Sequence, residues 1–526
     1  MTICREGVVA TSQTLASQAG AHALARGGSA MDAAIVANIV LAIVEPMSCG
    51  IGGDLFAIYR ESADDRLSGI NASGWAPRDL NCESAGGNLD GVHSVTVPGC
   101  VDGWAKLHRR FGRLAWPDLF EPAIHYAMDG FPVTEIIAEH WDQLTPKLHL
   151  NADAARTYLV DGRAPRVGEV FRSAAMGRAL QLLADNGPDA FYRGPIAKAL
   201  LSTSGKLGGV MCQEDLAQYE SEWVQPVMTN YRGWEIYELP PNGQGFAALE
   251  MLNILEQFPL HQFGPFSADT VHLKIEAQKL AYQDLQAYLA DPRTTPVPLD
   301  SLISKKYARE RAGLIDRRQA RGDHRPGQPM PSGDTVYLCA VDREGNIASL
   351  IQSIYHGFGS GIVVPEYGVA LHNRGALFSL DPAHPNALAG RKRPFHTIIP
   401  GMMRKDAQHI GFGIMGGYNQ AQAHAQFVSN VVDHGMNLQA ALEAPRFTKL
   451  TFGGCDVAIE NRFPAETLQQ LRSMGHETTL VGDFASQMGG GQAVMHDGAA
   501  TVNYGASSPR KDGAAIPQPF MIKRHS

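Results

Sequence analysis

The chain has 526 residues and a net charge of −8, with 44% hydrophobic and 19% charged residues. This length suits two or three average domains or one large layered body, and the composition is that of a globular protein. The negative charge and the lack of a long basic run argue against a nucleic-acid surface.

The cysteines and the apolar stretches indicate which kinds of site and which cellular location to expect. Seven cysteines are scattered along the chain without a CxxC pair, so we expect no zinc site, no disulfide framework and no cofactor. No stretch has the length of a membrane span, and the first residues lack the pattern of a secretion signal. We therefore expect a cytoplasmic protein with no membrane partner, whose oligomeric state stays open, a homo-oligomer included.

The first half of the chain reads mainly as helices. A strand at 7–10 and a helix at 11–25 come first. Ser29 is typical of the N-cap of a second helix, with Asp32 in its first turn, and Glu45-Pro46 ends it. A glycine-rich loop and a strand at 55–59 follow. Residues 100–290 are predicted to be mainly helical, with helices at 101–111, 116–129, 173–186 and 268–289.

The composition changes abruptly after residue 316. Residues 317–331 are charged and rich in Pro and Gly, so they cannot bury an apolar face, and we predict a mobile linker over about 317–334. Two strand-like runs, 335–341 and 346–353, follow around a turn at 342–345, which is typical of a hairpin. Its register places Thr335 opposite Ile354, or beside Ser353 after a slip of one residue.

Thr335 lies where the linker meets the first of these strands. Self-cleavage of the chain before Thr335 would expose a new N-terminal threonine. Such a residue holds its nucleophile and its base together, because the hydroxyl attacks while the α-amine accepts the proton. The position therefore suggests an amide-cleaving enzyme.

A third strand-like run ends at Gly416 and Gly417, and a helix is predicted at 420–434. Adjacent glycine N–H groups at the start of a helix can stabilise developing negative charge as an oxyanion hole. On pattern alone, a plain tight turn into the helix is the alternative.

Several motifs in this order resemble the γ-glutamyltranspeptidase family of N-terminal nucleophile hydrolases over nearly the whole chain. Each motif alone is weak, but their joint occurrence is specific. The matching stretches are 27–34 (GGSAMDAA), Glu45-Pro46 with 50–53 (GIGG), 97–99 (VPG), 444–447 (APRF) and 505–510 (GASSPR).

The resemblance implies an α+β fold, a four-layer αββα sandwich made as an inactive proenzyme. Cleavage would fall between Asp334 and Thr335 and give a large subunit, 1–334, and a small subunit, 335–526, intertwined in one body. Ser353 matches the position that supports the nucleophile. Gly416 and Gly417 match the oxyanion pair.

The substrate pocket departs from the family pattern. Ser73 stands where an arginine grips the substrate carboxylate, and His396-Thr397 replaces a pair of serines. Leu377 replaces the acidic residue that pairs with the α-ammonium, and Tyr355 replaces an asparagine. The loss of a charge-assisted partner costs about 1.5–3 kcal/mol, so we expect an α-amino acid to bind poorly.

Arg374, beside Asn373, stands where the family usually has a neutral amide, and it could grip a carboxylate with two parallel hydrogen bonds. A salt bridge on a loop is the alternative for Arg374. His396 reads either as a donor to substrate or as a buried histidine with its own partners. We count Arg374, His396, Thr397, Asn373, Tyr355 and Ser73 as candidate substrate-binding residues.

A small anionic amide without an α-amine fits such a pocket. The best candidate is oxamate, hydrolysed to oxalate and ammonia in bacterial purine and allantoin breakdown. The alternatives are a γ-glutamyl hydrolase or transferase acting on glutathione, an acylase for larger acyl amides, and a non-catalytic relative. The retained Thr335, Ser353, Gly416 and Gly417 weigh against the last.

Overall fold

A computed structural model describes residues 1–322 and 333–520. Its strands, in chain order, are β1 Thr2–Cys4, β2 Val8–Thr11, β3 Asp54–Glu61, β4 Arg66–Ala72, β5 Phe131–Pro132, β6 Val170–Phe171, β7 Glu222–Val224, β8 Val227–Tyr231, β9 Trp234–Glu238, β10 Asp334–Val341, β11 Ile347–Tyr355, β12 Val363–Val364, β13 Val369–Ala370, β14 Gly401–Lys405, β15 Gln408–Ile414, β16 Phe447–Thr448, β17 Asp456–Glu460, β18 Glu477–Val481, β19 Gly491–Asp497, β20 Val502–Ser507 and β21 Ala514–Pro517.

The α-helices are α1 Thr14–Ala25, α2 Ala30–Val44, α3 Cys100–Phe111, α4 Glu121–Asp129, α5 Glu135–Leu148, α6 Ala152–Tyr158, α7 Ala174–Asn186, α8 Asp189–Tyr192, α9 Pro195–Lys206, α10 Gln213–Ala217, α11 Gly245–Leu255, α12 Ala268–Tyr288, α13 Leu299–Leu302, α14 Lys305–Ala312, α15 Asn419–Val432, α16 Leu438–Glu443 and α17 Ala465–Ser473. Within the described ranges, none of the helices is both long and apolar enough to cross a membrane.

Two seven-stranded sheets form the centre of the molecule. One has the strand order β21-β2-β10-β11-β3-β4-β7, and the other has the order β1-β20-β19-β15-β14-β9-β8. Their facing sides share an apolar core that includes Val8, Phe56, Tyr337, Ile351 and Met402. Each sheet contains strands from the part of the chain before residue 334 and strands from the part after it.

Helices cover the outer face of each sheet. Helix α2 is buried along its whole length and packs on β10 and β11 of the first sheet, and α11, α15 and α16 pack on the second. Separate apolar clusters fill the space between each sheet and its helices. The molecule is thus a four-layer αββα sandwich, and the predicted fold class is confirmed.

The structure contains the elements predicted at the start of the chain and differs from the prediction in two later segments. The strand at 7–10 and the two helices that follow it are present as β2, α1 and α2, and Ser29 caps α2 with Asp32 in a reciprocal capping box. The segment 116–129 is split, because residues 116–119 form a 3₁₀ turn before α4. The mainly helical stretch 100–290 also contains β7, β8 and β9. Most of the predicted linker, residues 323–332, lies outside the described residues.

Candidate active site

The hairpin of β10 and β11 positions Thr335. The strands pair antiparallel, with Asp334 opposite Tyr355 and Val336 opposite Gln352, and the register shifts between these two pairs. Thr335 therefore sits at a β-bulge, which re-aims its side chain relative to a regular strand. Its Oγ1 lies 3.1 Å from Oγ of Ser353, so the predicted proximity of these two hydroxyls is confirmed.

Ser353 lies between the hydroxyl of Thr335 and the peptide bond that is predicted to be cleaved. Its hydroxyl donates a 2.8 Å hydrogen bond to the carbonyl oxygen of Asp334. The backbone N–H of Tyr355 and the Nη2 of Arg374 donate to Ser353 Oγ at 2.8 and 3.1 Å. Thr335 Oγ1 is a third donor to this oxygen, so the one acceptor that the Ser353 hydroxyl hydrogen meets among the described residues is the Asp334 carbonyl.

A polar cavity of about 220 Å³ opens onto Thr335 and Gly416. Gly416 and Gly417 have φ values of +126° and +60°, a backbone conformation that side chains other than glycine rarely adopt. The carbonyl oxygen of Gly417 accepts from Nε2 of Gln244 at 2.9 Å, which fixes the turn. This geometry suits the predicted oxyanion role, which stays a prediction.

Arg374 is fully buried and lies next to the catalytic hydroxyls. Besides Ser353, its guanidinium donates to Oγ1 of Thr397 at 2.8 Å, and it stacks 4.4 Å above the ring of Tyr355. Burial lowers the pKa of Arg374 to about 10. Over residues 1–322 and 333–520, no carboxylate lies within 4.0 Å of it, and its Nε has no hydrogen-bond partner. The alternative of a loop salt bridge does not fit this environment.

Tyr355 and Asn373 flank Arg374 in different ways. Tyr355 has a φ of +75°, and its buried hydroxyl has no partner among the described residues. Asn373 instead binds His356, accepting from its backbone N–H at 3.1 Å and lying 3.0 Å from its ring nitrogen. Tyr355 therefore has an unused polar atom beside Arg374, whereas the side chain of Asn373 is already engaged.

His396 belongs to a buried network around Asp54. Its Nε2 donates to Asp54 Oδ2 at 3.0 Å, and its Nδ1 accepts from the N–H of Ile398 at 3.4 Å. Burial, reinforced by Arg374, lowers the pKa of His396 to about 3, so the imidazole is neutral at physiological pH. Both ring nitrogens are occupied, which favours the buried-histidine interpretation. A contact between His396 and substrate stays a prediction.

Asp54 itself was not expected as a site residue. Burial acts to raise its pKa, but His372, His396 and Arg374 outweigh that effect and lower it. Its Oδ1 also accepts from the N–H of Gly74 at 3.0 Å. Asp54 comes directly after the glycine cluster 50–53, and an acid following that motif was a signal that could have been used.

Ser73 points into a separate polar cluster. Its hydroxyl donates to Oδ1 of Asn71 at 2.7 Å, and Nδ2 of Asn242 lies 3.2 Å from it. The carbonyl oxygen of Ser73 accepts from Nε of Arg393 at 2.9 Å. These bonds engage both the hydroxyl and the carbonyl oxygen of Ser73, and its contact with substrate stays a prediction.

Leu377 lines a cavity of about 430 Å³ that has both apolar and polar walls. The cavity is lined by Leu285, Gln286, Leu289, Ala376, Leu377, Phe378, Ser379, His384, Asn386, Phe395, Tyr418 and Phe452. Tyr418 follows Gly417 directly, so the cavity adjoins the predicted oxyanion turn. None of the described residues that line it has an acidic side chain to pair with an ammonium group.

Among the described residues, one group has the spacing of a metal site: His272, Glu276 and His476. The facing ring nitrogens of the two histidines are 2.8 Å apart, and Glu276 is paired with the buried ammonium of Lys279 at 2.7 Å. That ammonium would repel a divalent cation. We interpret the group as a structural hydrogen-bond network.

The comparisons with known proteins agree with this geometry. The family model described as Gamma-glutamyltranspeptidase matches residues 16–518. The chain belongs to the γ-glutamyltranspeptidase family. The members of this family are proenzymes cleaved into a large and a small subunit, and the chain is accordingly a self-processing amidohydrolase.

Three relatives show the range within the family. The chain is 36% identical to the glutathione hydrolase-like YwrD proenzyme of Bacillus subtilis, over 97% of this chain and 98% of that protein. It is 34% identical to the oxamate amidohydrolase proenzyme of Klebsiella pneumoniae, over 98% of each. The crystal structure of a cephalosporin acylase from Bacillus halodurans superposes with a TM-score of 0.92 at 41% identity, covering 99% of this chain and 97% of that one.

Proposed function

We propose that the cleaved protein hydrolyses a small anionic amide, and that oxamate is its substrate. The observation that supports this most is the position of Arg374. It is a buried cation with no carboxylate within 4.0 Å among the described residues, although the more distant Asp54 carboxylate acts on it. One hydroxyl, that of Ser353, separates it from Thr335. A carboxylate bound there lies close to the carbon that Thr335 attacks.

In this mechanism, Thr335 Oγ1 attacks the amide carbon of oxamate while the free α-amine accepts its proton. The N–H groups of Gly416 and Gly417 stabilise the negative charge on the amide oxygen. Ammonia leaves, and water then hydrolyses the ester on Thr335 to release oxalate. Arg374 and the hydroxyl of Tyr355 hold the carboxylate throughout.

The pocket disfavours a γ-glutamyl group. Leu377 offers no charge to an α-ammonium, and the described lining of its cavity has no acid. Burying an ammonium against this wall without a partner is costly. Glutathione is therefore the weaker candidate substrate, although relatives of this chain are named glutathione hydrolases.

One observation favours a second candidate, an acylase for larger amides. The cavity beside Tyr418 has about 430 Å³, far more than oxamate fills. The likeness to a cephalosporin acylase structure supports the same alternative. In that case the cavity holds an apolar part of the acyl or amine group.

Turnover of matched substrates by the cleaved protein distinguishes the candidates. We expect ammonia release from oxamate to have a higher kcat/KM than nitroaniline release from γ-glutamyl or glutaryl nitroanilide. The variant Thr335→Ala is the control, since it lacks the nucleophile. Faster turnover of the γ-glutamyl compound would rule out oxamate as the preferred substrate, and faster turnover of the glutaryl compound would favour the acylase.

Arg374→Met tests the carboxylate site. Loss of a charge-assisted hydrogen bond should raise KM for oxamate by a factor of about 10 to 100, while hydrolysis of a neutral amide such as acetamide changes little. Because Arg374 also binds Ser353, self-cleavage of this variant is expected to slow, so only its cleaved fraction is assayed. An unchanged KM for oxamate would place the carboxylate elsewhere.

The cytoplasmic location and the place in purine breakdown are part of this proposal. All seven cysteines are free thiols in the structure, which fits a reducing compartment. Cell fractionation with an antibody against the protein tests the location, and accumulation of oxamate in a deletion strain grown on allantoin tests the pathway.

A further inference from the structure

The side chain of Asp334, the residue before the predicted cleavage point, lies in a pocket of basic groups. Its Oδ1 is 3.2 Å from Nε2 of His140, on α5. Lys511 lines the same cavity, and His356 directly follows β11. Burial acts to raise the pKa of Asp334, but His140, Lys511 and His356 outweigh that effect and lower it.

Burial lowers the pKa of His356 to about 4, so His356 is neutral at physiological pH. A second lysine near this pocket, Lys147, also lies on α5. Its Nζ donates 2.6 Å hydrogen bonds to the carbonyl oxygens of Gly357 and Gly359, just beyond His356. Burial lowers the pKa of Lys147 to about 8, and Asp334 acts in the opposite direction. Lys147 is therefore largely charged at neutral pH.

Asp334 balances much of this positive charge. Lys511 has its own acid, because its Nζ lies 2.8 Å from Oε1 of Glu45. Lys147, in contrast, has no carboxylate within 4.0 Å in the described part of the chain. Once the side chain of Asp334 has moved away, no carboxylate of the described residues lies within 4.0 Å of His140 or Lys147, so the pocket is suited to another anion.

Asp334 and a substrate acyl group each form an ester on the same atom, Thr335 Oγ1. The ester of Asp334 forms during self-cleavage, and that of the substrate forms during turnover. Attack by Thr335 Oγ1 breaks the Asp334–Thr335 C–N bond and forms an ester whose acyl group is Asp334. Water then breaks the ester, leaving the Asp334 α-carboxylate and a free Thr335 amine. A substrate acyl group forms its ester on the same oxygen. In Asp334, two carbon atoms, Cα and Cβ, separate the acyl carbon from the side-chain carboxylate. An acyl group with the same spacing therefore reaches the same pocket.

We propose that the pocket around Asp334 becomes a carboxylate subsite of the cleaved enzyme. Its ligands are short acyl amides with a carboxylate two carbons from the amide carbon, of which succinamate is the simplest, and the matching product, succinate. The inference rests on the proposed function and extends it. Arg374 serves a carboxylate next to the carbonyl, and the pocket around Asp334 serves one further along the acyl chain.

Calorimetric titration with succinate tests the subsite without relying on turnover. Three proteins are compared: the cleaved wild type, the uncleaved variant Thr335→Ala, and the uncleaved double variant Thr335→Ala/Asp334→Gly. We expect succinate to bind the wild type and the double variant but not Thr335→Ala, in which Asp334 occupies the pocket. Neutral succinic diamide is the control ligand and should bind at least tenfold more weakly than succinate.

His140→Gln in the cleaved enzyme should weaken succinate binding by about tenfold, because the ring nitrogen that lies nearest the Asp334 carboxylate in the uncleaved chain is removed. Binding of succinate to Thr335→Ala as tight as to the wild type, or no binding to the wild type, would overturn the proposal. These outcomes are separate from the proposed substrate. An enzyme that hydrolyses oxamate but does not bind succinate lacks only the subsite, and one that binds succinate but leaves oxamate intact lacks only the proposed activity.

Discussion

At the scale of single residues, Ser353 links the two reactions of this protein. In the uncleaved chain it donates to the Asp334 carbonyl and lies beside the Thr335 hydroxyl. It also receives a hydrogen bond from Arg374, the residue we assign to the substrate carboxylate. Self-cleavage and substrate binding therefore depend on a shared set of hydrogen bonds, which the sequence motif alone did not indicate.

Ser353→Ala is expected to slow self-cleavage on the order of 100-fold, because the carbonyl of the scissile bond loses its donor in the transition state. The measurement is the rate at which purified precursor converts to two bands on a denaturing gel. Ser349→Ala is the matched control, since Ser349 is a buried serine on the same strand that binds Tyr337 and Gly401 instead. Equal rates for the two variants would contradict a role of Ser353 in the cleavage step.

His396 is expected to make the protein sensitive to acid. Its pKa is about 3 in the folded chain, lowered from 6.5, so below pH 6.5 the unfolded chain takes up a proton that the folded chain does not. Stability is then lost as the pH falls from about 6.5 toward 3, by about 1.4 kcal/mol per pH unit. Between about pH 4.5 and 6, His396→Gln should reduce the slope of unfolding free energy against pH by that amount. An unchanged slope would contradict a buried neutral His396.

At the scale of elements, the two sheets pack closely just before β15 reaches the predicted oxyanion turn. A Cβ added to Gly413 on β15 would lie 2.4 Å from the ring of Tyr337 on β10. The strand that leads to Gly416 is therefore held against the strand that carries Thr335. The sequence predicted both strands, but it did not indicate that a glycine allows them to approach.

Gly413→Ala should destabilise the protein by about 1–3 kcal/mol, because the added methyl group overpacks this contact. Gly205→Ala is the contrasting variant. Gly205 lies near the end of α9 with no atom within 4 Å of an added Cβ, so alanine should stabilise that helix by up to about 1 kcal/mol. Urea unfolding midpoints measure both. A shift of the same sign in the two variants would contradict the packing argument.

At the scale of the whole molecule, cleavage before Thr335 does not divide the sandwich. The first sheet contains strands from both sides of the cut. In it, β10 pairs with β2 on one edge and with β11 on the other, and β11 pairs with β3. In the second sheet, β14 pairs with β9. These ladders and the apolar cores between them hold both products together.

We therefore expect the two products of cleavage to co-elute as one particle in size-exclusion chromatography, even at about 1 M salt, which screens surface ion pairs but leaves apolar contacts intact. They should also unfold in a single transition. Uncleaved Thr335→Ala provides the reference elution volume. A small fragment that separates from the large one without denaturant would contradict this expectation.

The amino-acid sequence by itself indicated the family and the hairpin, and it predicted the position of the nucleophile. These depend on local signals: the change in composition before Thr335, the turn at 342–345, the glycines at 416–417 and the order of the family motifs. Leu377, as a missing acid, could also be recognised from its place in a motif. The fold class followed from the resemblance.

Only the tertiary structure decided what surrounds the nucleophile. Arg374 is buried with no carboxylate within 4.0 Å in the described part of the chain, and His396 bonds Asp54, which lies far from it in the chain. His140 and Lys511 line one cavity with Asp334, although both are distant from it in the sequence. No periodicity or spacing encodes such meetings, because pKa and charge balance depend on burial and on distances across the sheets. The type of reaction could therefore be predicted from the sequence, whereas the surroundings of the proposed substrate pocket could be described only from the fold.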